Sequence, residues 1–451
     1  MNTPICDFVK KYAESDCVRA HMPGHKGKGG IEKYDITEID GADVLYSGEG
    51  IIDESQRNAS SLFGSKKTLY STEGSSLSIR AMLYLARAYA SSKGEKCRIL
   101  ASRNAHKVFI TASALLDIDA DFIFPEENEG LTVCRVDAEK LEKELSSLSY
   151  KPTAVYITSP DYLGNIADIK ALSAVCKKEG ILLLVDNAHG AYLKFLPEGQ
   201  HPLDFGADIV CDSAHKTLPV LTGGGYLHIG KNAPDVICDN AEKAMMLFAS
   251  TSPSYLILQS LDKVNVYLSS SYRYELSAFC EKVRELKNSL SEKGFVLFGK
   301  EPLKLTLCTK PYGYTGEEFA SYLLSAGIVC EFSDPDYVCL MLTPQNSDGD
   351  IEKIKNAFLK AEKKNSINTL PPSITKPQKY CSPKEALFSS SERLPLEKCN
   401  GRVLSAVTVS CPPAVPVLVS GEIVDEGALD VMRYYGVTEL EVLRASVSVE
   451  S

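Results

Sequence analysis

The chain has 451 residues, 44% of them hydrophobic and 24% charged, with a formal net charge of -10. That length supports two or three domains around a large core, and the acidic balance excludes the cationic surface that non-specific nucleic-acid binding needs. No apolar run reaches the roughly 18 residues that span a bilayer, and the start, Met1-Asn-Thr-Pro-Ile-Cys6, lacks the basic and apolar parts of a signal peptide, so a cytoplasmic protein with no membrane or nucleic-acid partner is expected.

Residues 1–50 are rich in Gly, His and Asp with weak periodicity, and read as an N-terminal arm, extended with ordered loops. A helix is predicted over 75–90, with Leu77, Met82, Leu83, Leu85 and Ala86 toward the core. The short apolar runs 98–101, 121–124, 154–158 and 181–185 suit buried parallel strands, with helices over 138–147 and 168–179 between them. Such alternation implies a layered α/β domain with a mostly parallel central sheet and right-handed crossovers. The runs 208–211 and 226–229 add two strands, completing a large domain over 51–255.

After 255 the pattern changes. Residues 255–293 are largely helical, and 304–308, 328–331 and 338–342 read as strands beside helices at 317–326 and 350–363. This is a smaller α+β domain over 256–365. A linker composition follows over 361–377, then a C-terminal module over 378–451. The 14 cysteines are scattered without a Cys-x-x-Cys pair, which predicts reduced thiols in a reducing compartment and no metal site.

The chemistry concentrates around two residues. Leu182-Leu-Leu-Val-Asp186 would put a carboxylate at the carboxyl end of a buried strand, where ligands bind in open α/β sheets. Thirty residues later, Ser213-Ala-His-Lys216 precedes the run Gly223-Gly-Gly225. A lysine and an aspartate so arranged suit pyridoxal 5'-phosphate: the lysine holds the cofactor as a Schiff base and the aspartate pairs with its ring nitrogen. Taken singly, Lys216 reads as a solvated charge and Asp186 as a helix cap; their pairing favours the cofactor. Ser71-Thr-Glu-Gly-Ser-Ser76 opens the predicted helix over 75–90, so backbone N–H groups and small hydroxyls could hold a phosphate, provided Glu73 points away. His106 follows a strand and could lie on the ring, and His25 and Lys26, in the cationic turn His21–Gly27, could line a substrate entrance.

Together these residues resemble the bacterial ornithine/lysine/arginine decarboxylase family, in its short form. His21-Met-Pro-Gly-His-Lys-Gly27, Ser102-Arg-Asn-Ala-His-Lys107, Asp186-Asn-Ala-His-Gly190, Ser213-Ala-His-Lys-Thr217, Ser250-Thr-Ser-Pro-Ser-Tyr255 and Pro412–Glu422 carry the resemblance, which covers nearly the whole chain. It implies the PLP-dependent transferase fold (fold type I) and α-decarboxylation of arginine, lysine or ornithine by a homodimer with shared active sites. It makes Lys216 the Schiff-base lysine, Asp186 the ring-nitrogen partner, His106 the ring-stacking residue and His189 a candidate proton donor. Ser75, Ser76, Ser213 and His215 become phosphate-side contacts, with Thr251 reaching across the dimer interface. Ala188 lies against the ring, and Glu422 is a candidate for the substrate's distal cation. The sequence departs from the family pattern at Asn187, where Glu is expected, at Gly223–Gly225, and at Ala414 and Ser420. Those departures bear on substrate choice and C-terminal contacts rather than on the cofactor. An aminotransferase or lyase on the same scaffold, or a non-catalytic regulatory relative, are the alternatives; the absence of arginine from 296–392 weighs against an aminotransferase.

Overall fold

Alternating burial on two faces explains the main sheet. In the computed structural model, which describes residues 1–125, 133–373, 376–410 and 415–444, seven strands build it. They are β1 (Lys67–Ser71), β2 (Arg98–Ser102), β3 (Asp119–Ile123), β4 (Ala154–Thr158), β5 (Leu182–Asp186), β6 (Ile209–Asp212) and β7 (Gly225–Ile229). Their order is β1-β7-β6-β5-β4-β2-β3. The run from β3 to β6 is parallel, and β7 is antiparallel to both neighbours. Val155, Ile157, Leu183, Val185 and Val210 face one core cluster with Leu141, Leu172 and Val175 from the helices Ala138–Ser147 and Ile169–Glu179. Their neighbours Ala154, Tyr156, Leu182, Leu184 and Ile209 face the other, with Leu77 and Met82 of the helix Gly74–Ser92. Both faces of each strand are therefore apolar, which is why these segments read as continuous runs.

Register sets the site. Thr158 pairs with Asp186, and Asp186 with Cys211, so the carboxyl ends of β4, β5 and β6 lie level at one rim of the sheet.

β1 was not expected from its sequence, because only Leu69 and Tyr70 in it are strongly apolar. Its polar residues are buried through hydrogen bonds instead: Thr68 Oγ1 meets His228 Nδ1 at 2.8 Å and the Ser71 hydroxyl donates to the Gly74 carbonyl. The N-terminal arm also needs correcting. It opens with a helix, Pro4–Ala13, whose Ile5 and Val9 bury against the helices Ile51–Phe63 and Tyr255–Ser269. Two anchors four residues apart suffice once Asp262 accepts the Cys6 N–H.

A second sheet, order β10-β11-β9-β8, is antiparallel throughout. It comprises β8 (Val296–Phe298), β9 (Lys304–Cys308), β10 (Phe332–Ser333) and β11 (Tyr337–Met341). The expected strand at 328–331 is absent. Gly327 turns the chain at φ +72, and the Ile328 N–H donates to Leu323 O, so this stretch caps the helix Gly316–Ser325. Beyond it, Leu396, Leu418, Val424, Leu429, Met432 and Val442 form a separate small core in the C-terminal part. Pro412–Ala414, at the start of the C-terminal signature, lie outside the described residues. Every described cysteine is a free thiol, and no described helix is long and apolar enough to cross a membrane.

Candidate active site

A cleft of about 360 Å³ opens at that rim, lined by Lys216, Asp186, His106, His189, Ala188, Ser75, Ser76, Ser213 and His215, among others. The main sheet brings Asp186 there as the last residue of β5. One carboxylate oxygen accepts the Tyr156 hydroxyl at 3.0 Å; the other accepts the Ala188 N–H at 3.1 Å and lies 3.5 Å from Cys211 Sγ. Burial, reinforced by the Asp186 charge, pushes the Tyr156 and Cys211 pKa values well up, so both keep their protons and act as donors.

Lys216 sits in the single helical turn Ala214–Thr217 that follows β6. Its Nζ is 3.0 Å from His189 Nε2. Burial lowers the Lys216 pKa, opposed by Asp186 and assisted by the Lys304 charge. Burial also drives the His189 pKa well below its ordinary value, with Lys304 and Lys216 adding to the effect. His189 is therefore neutral, its Nε2 accepts from the lysine, and its buried Nδ1 has no partner among the described residues. Tyr162 packs edge-on against His189 at 5.1 Å between ring centroids. His106 is fixed differently: its Nδ1 accepts the Val108 N–H and caps the helix Lys107–Leu116, which holds the ring at the cleft.

The helix Gly74–Ser92 points its amino end into the cleft without a side-chain cap, presenting Ser75 and Ser76. Ser213 Oγ donates to Ser75 Oγ at 2.9 Å. Glu73 accepts the Ser250 N–H at 2.7 Å, so one of its carboxylate oxygens is engaged by the backbone of the 250–255 loop. The glycine run Gly223–Gly225 closes this corner. A Cβ on Gly223 would lie 2.8 Å from Thr72 O, and one on Gly225 would lie 2.8 Å from Asp212 O and 3.1 Å from the Gly74 carbonyl carbon. These are backbone atoms that cannot step aside. We expect Gly225→Ala to cost about 1–3 kcal/mol in denaturant unfolding and to weaken cofactor binding in a direct titration.

Below the rim, Asp212 is a buried hub. One oxygen accepts Asn187 Nδ2 at 2.7 Å; the other meets His201 Nε2 at 3.0 Å and His228 Nε2 at 3.2 Å. Burial alone would raise the Asp212 pKa, yet the two histidines outweigh it and hold the carboxyl below its usual range. The hub gives Asn187 a physical reason: a glutamate there would set a second carboxylate against Asp212, whereas the amide donates.

Four expected site residues are not in the cleft. Glu422 is buried, with both oxygens taken by the Arg103 guanidinium at 2.7 Å, so it is not placed to meet a substrate's distal cation. Its carboxylate already has the cation that a substrate would supply. Thr251 is exposed on the loop before the helix Tyr255–Ser269, and Lys26 and His25 lie on the arm, where His25 Nε2 is 3.2 Å from Asp35. Within one chain, no residue of the arm lines the cleft. Conversely, Asn104, Thr158 and Tyr162 line the cleft unforeseen. Thr158 ends β4 as Asp186 ends β5, so the strand-end rule that finds the aspartate also finds it.

The fold is that of fold type I pyridoxal-phosphate enzymes. The chain belongs to the Orn/Lys/Arg decarboxylase family: the pattern of the family's major domain matches residues 3–298, and that of its C-terminal domain matches residues 361–442. It is 27% identical to an arginine decarboxylase of Bacillus subtilis, over 94% of this chain and 91% of that protein. It is also 27% identical to an arginine decarboxylase of Halalkalibacterium halodurans, over 96% and 93%. Among solved structures, the lysine decarboxylase of Francisella novicida superposes with a TM-score of 0.82 at 16% identity, covering 98% of this chain and 81% of that one. Serine palmitoyltransferase of Sphingomonas wittichii shares the fold more distantly, with a TM-score of 0.53 at 16% identity over 80% and 83%.

The residues present fit the cofactor. An amine and an oriented carboxylate face one cleft, an uncapped helix end with serine hydroxyls suits a phosphate, and buried polar atoms of Asn104 and His189 are without partners among the described residues.

Proposed function

We propose that the chain removes the α-carboxyl group of a basic amino acid (arginine, lysine or ornithine), releasing the amine and CO2, with pyridoxal phosphate held by Lys216. The observation that carries this reading is the convergence of Lys216, Asp186, His189 and His106 on one cleft at the strand ends. When bound, pyridoxal phosphate supplies an electron sink for the pair left at the substrate's Cα.

The chain's residues do the rest. Lys216, its pKa lowered by burial, offers a neutral amine at lower pH than a surface lysine and so exchanges readily with the substrate amine. Asp186, fixed by Tyr156 and the Ala188 N–H, would pair with the ring nitrogen. His106 and Ala188, which line the cleft, would hold the cofactor ring. Ser75, Ser76, Ser213 and His215 take the phosphate. Lys216, 3.0 Å from the neutral His189 Nε2, can return a proton to Cα, and His189 can carry that proton to and from the lysine.

The same reading has Thr251 reach across to the cleft of a second copy, and His25 and Lys26 line the substrate entrance. Among substrates it puts arginine first, because two relatives named arginine decarboxylase are 27% identical over more than nine-tenths of the chain, whereas the lysine decarboxylase that superposes is 16% identical. The test incubates the pyridoxal-phosphate-loaded protein separately with arginine, lysine and ornithine and identifies products by mass spectrometry. Agmatine from arginine, with little cadaverine or putrescine, is the expected result. No amine from any of the three would remove the proposal.

A further inference from the structure

Arg103 is the largest fully buried side chain among the described residues, and it does not line the cleft. It follows the last residue of β2 and turns away from the cleft, into the C-terminal part of the chain. There Nη1 and Nη2 each donate to one oxygen of Glu422 at 2.7 Å, a bidentate pair. Nε donates to Pro416 O at 3.0 Å and Nη2 to Val417 O at 3.1 Å. The rings of Phe122 and Phe124 flank the guanidinium, at 4.9 and 4.7 Å from ring centroid to Cζ. Glu422 in turn accepts the Val419 N–H at 2.8 Å. So many converging bonds fix the backbone at Arg103.

The next residues are the cleft. Asn104 follows immediately, its carbonyl accepting the Thr158 hydroxyl at 3.2 Å, and His106 comes two residues later as the cap of the helix Lys107–Leu116. The C-terminal part touches that helix independently, through the short helix Pro383–Phe388 packed along it. The turn carrying Asn104 and His106 thus runs from the clamp at Arg103 into a helix on which the C-terminal part also packs.

We infer that the Arg103–Glu422 clamp makes the C-terminal part a positioning element of the active site: docking sets the 103–106 turn, and through it the place of His106 against the cofactor. Arg103 and Glu422 are positioning residues, since neither lines the cleft. The inference rests on the reading of His106 as the residue that meets the cofactor ring.

The test uses the full chain loaded with pyridoxal phosphate, in wild type, Glu422→Gln and the double variant Arg103→Met/Glu422→Met. Gln keeps the size but loses the charge. The double variant removes both charges together, a change that buried ion pairs tolerate without loss of folding. Far-ultraviolet circular dichroism reports folding, and the visible circular dichroism of the bound cofactor reports its seating. The expected result is a folded protein whose visible cofactor signal changes in size or shape, with kcat lowered about tenfold and KM for the amino acid changed less. Should Glu422→Gln fail to fold, the double variant must show the same loss. A folded double variant with wild-type cofactor signal and kcat overturns the clamp. A wild type that shows no bound-cofactor signal overturns the reading of the site and the clamp with it.

Discussion

Lys216→Ala is expected to abolish amine formation, with kcat lowered by about 10⁴-fold or more, because one side chain carries two duties. In the proposed reaction its amine anchors the cofactor, and its Nζ, 3.0 Å from His189 Nε2, moves the proton that finishes the reaction. Removing it leaves His189 to do the second duty alone and nothing to do the first. The fold should survive: Lys216 is only partly buried, and the β6 strand before it is anchored by its neighbours in the sheet. The check is threefold. Borohydride reduction of the loaded wild type, followed by peptide mapping, should mark the peptide carrying Lys216. The variant should show no marked peptide, and its melting temperature should stay near that of the wild type. A marked peptide elsewhere in the chain would contradict the assignment.

Asp186→Asn is the second large effect. The carboxylate is 3% exposed and holds the Tyr156 hydroxyl and the Ala188 N–H. Asparagine keeps one acceptor oxygen for the Ala188 N–H, and its amide can donate to the Tyr156 hydroxyl oxygen once that hydroxyl turns, so folding should change little. What it loses is the negative charge that stabilises a protonated ring, at a point in the protein where little water reaches. A preorganised charge of this kind is worth about 10²–10³-fold in kcat, and KM for the amino acid should move far less. Asp186→Ala should add a stability cost of about 1–3 kcal/mol for each buried donor left without an acceptor. Steady-state kinetics on both variants, beside denaturant unfolding, separates the two effects. An Asp186→Asn variant with wild-type kcat would remove Asp186 from the mechanism.

Much of this architecture is legible in the residues because the parallel strands are buried on both faces. Ala154–Thr158 and the helix Ala138–Ser147 stand where their apolar patterns put them. What escaped is held by something other than apolar periodicity. β1 depends on the Thr68–His228 contact across 160 residues of sequence. The helix Pro4–Ala13 depends on Asp262 meeting its first turn. Two residues in the middle of the chain, Lys216 and Asp186, announced the cleft because each stands at a strand end or just beyond it. Glu422 was misjudged because a carboxylate in a motif invites a substrate cation, and only three-dimensional structure reveals that Arg103 already occupies it. Tyr162 gave no signal, since its neighbours His189 and Glu331 lie far away in sequence.

In the proposed reaction this cleft breaks the bond between Cα and the carboxylate and returns a proton to Cα. The direct measurement runs the loaded protein with arginine in D2O and analyses the amine and the gas together. The expected products are CO2 and agmatine in equal amounts, with one deuterium on the carbon that bore the carboxyl group and none elsewhere on carbon. A 2-oxo acid in place of the amine, or arginine that gains deuterium at Cα while its carboxyl group stays, would contradict it.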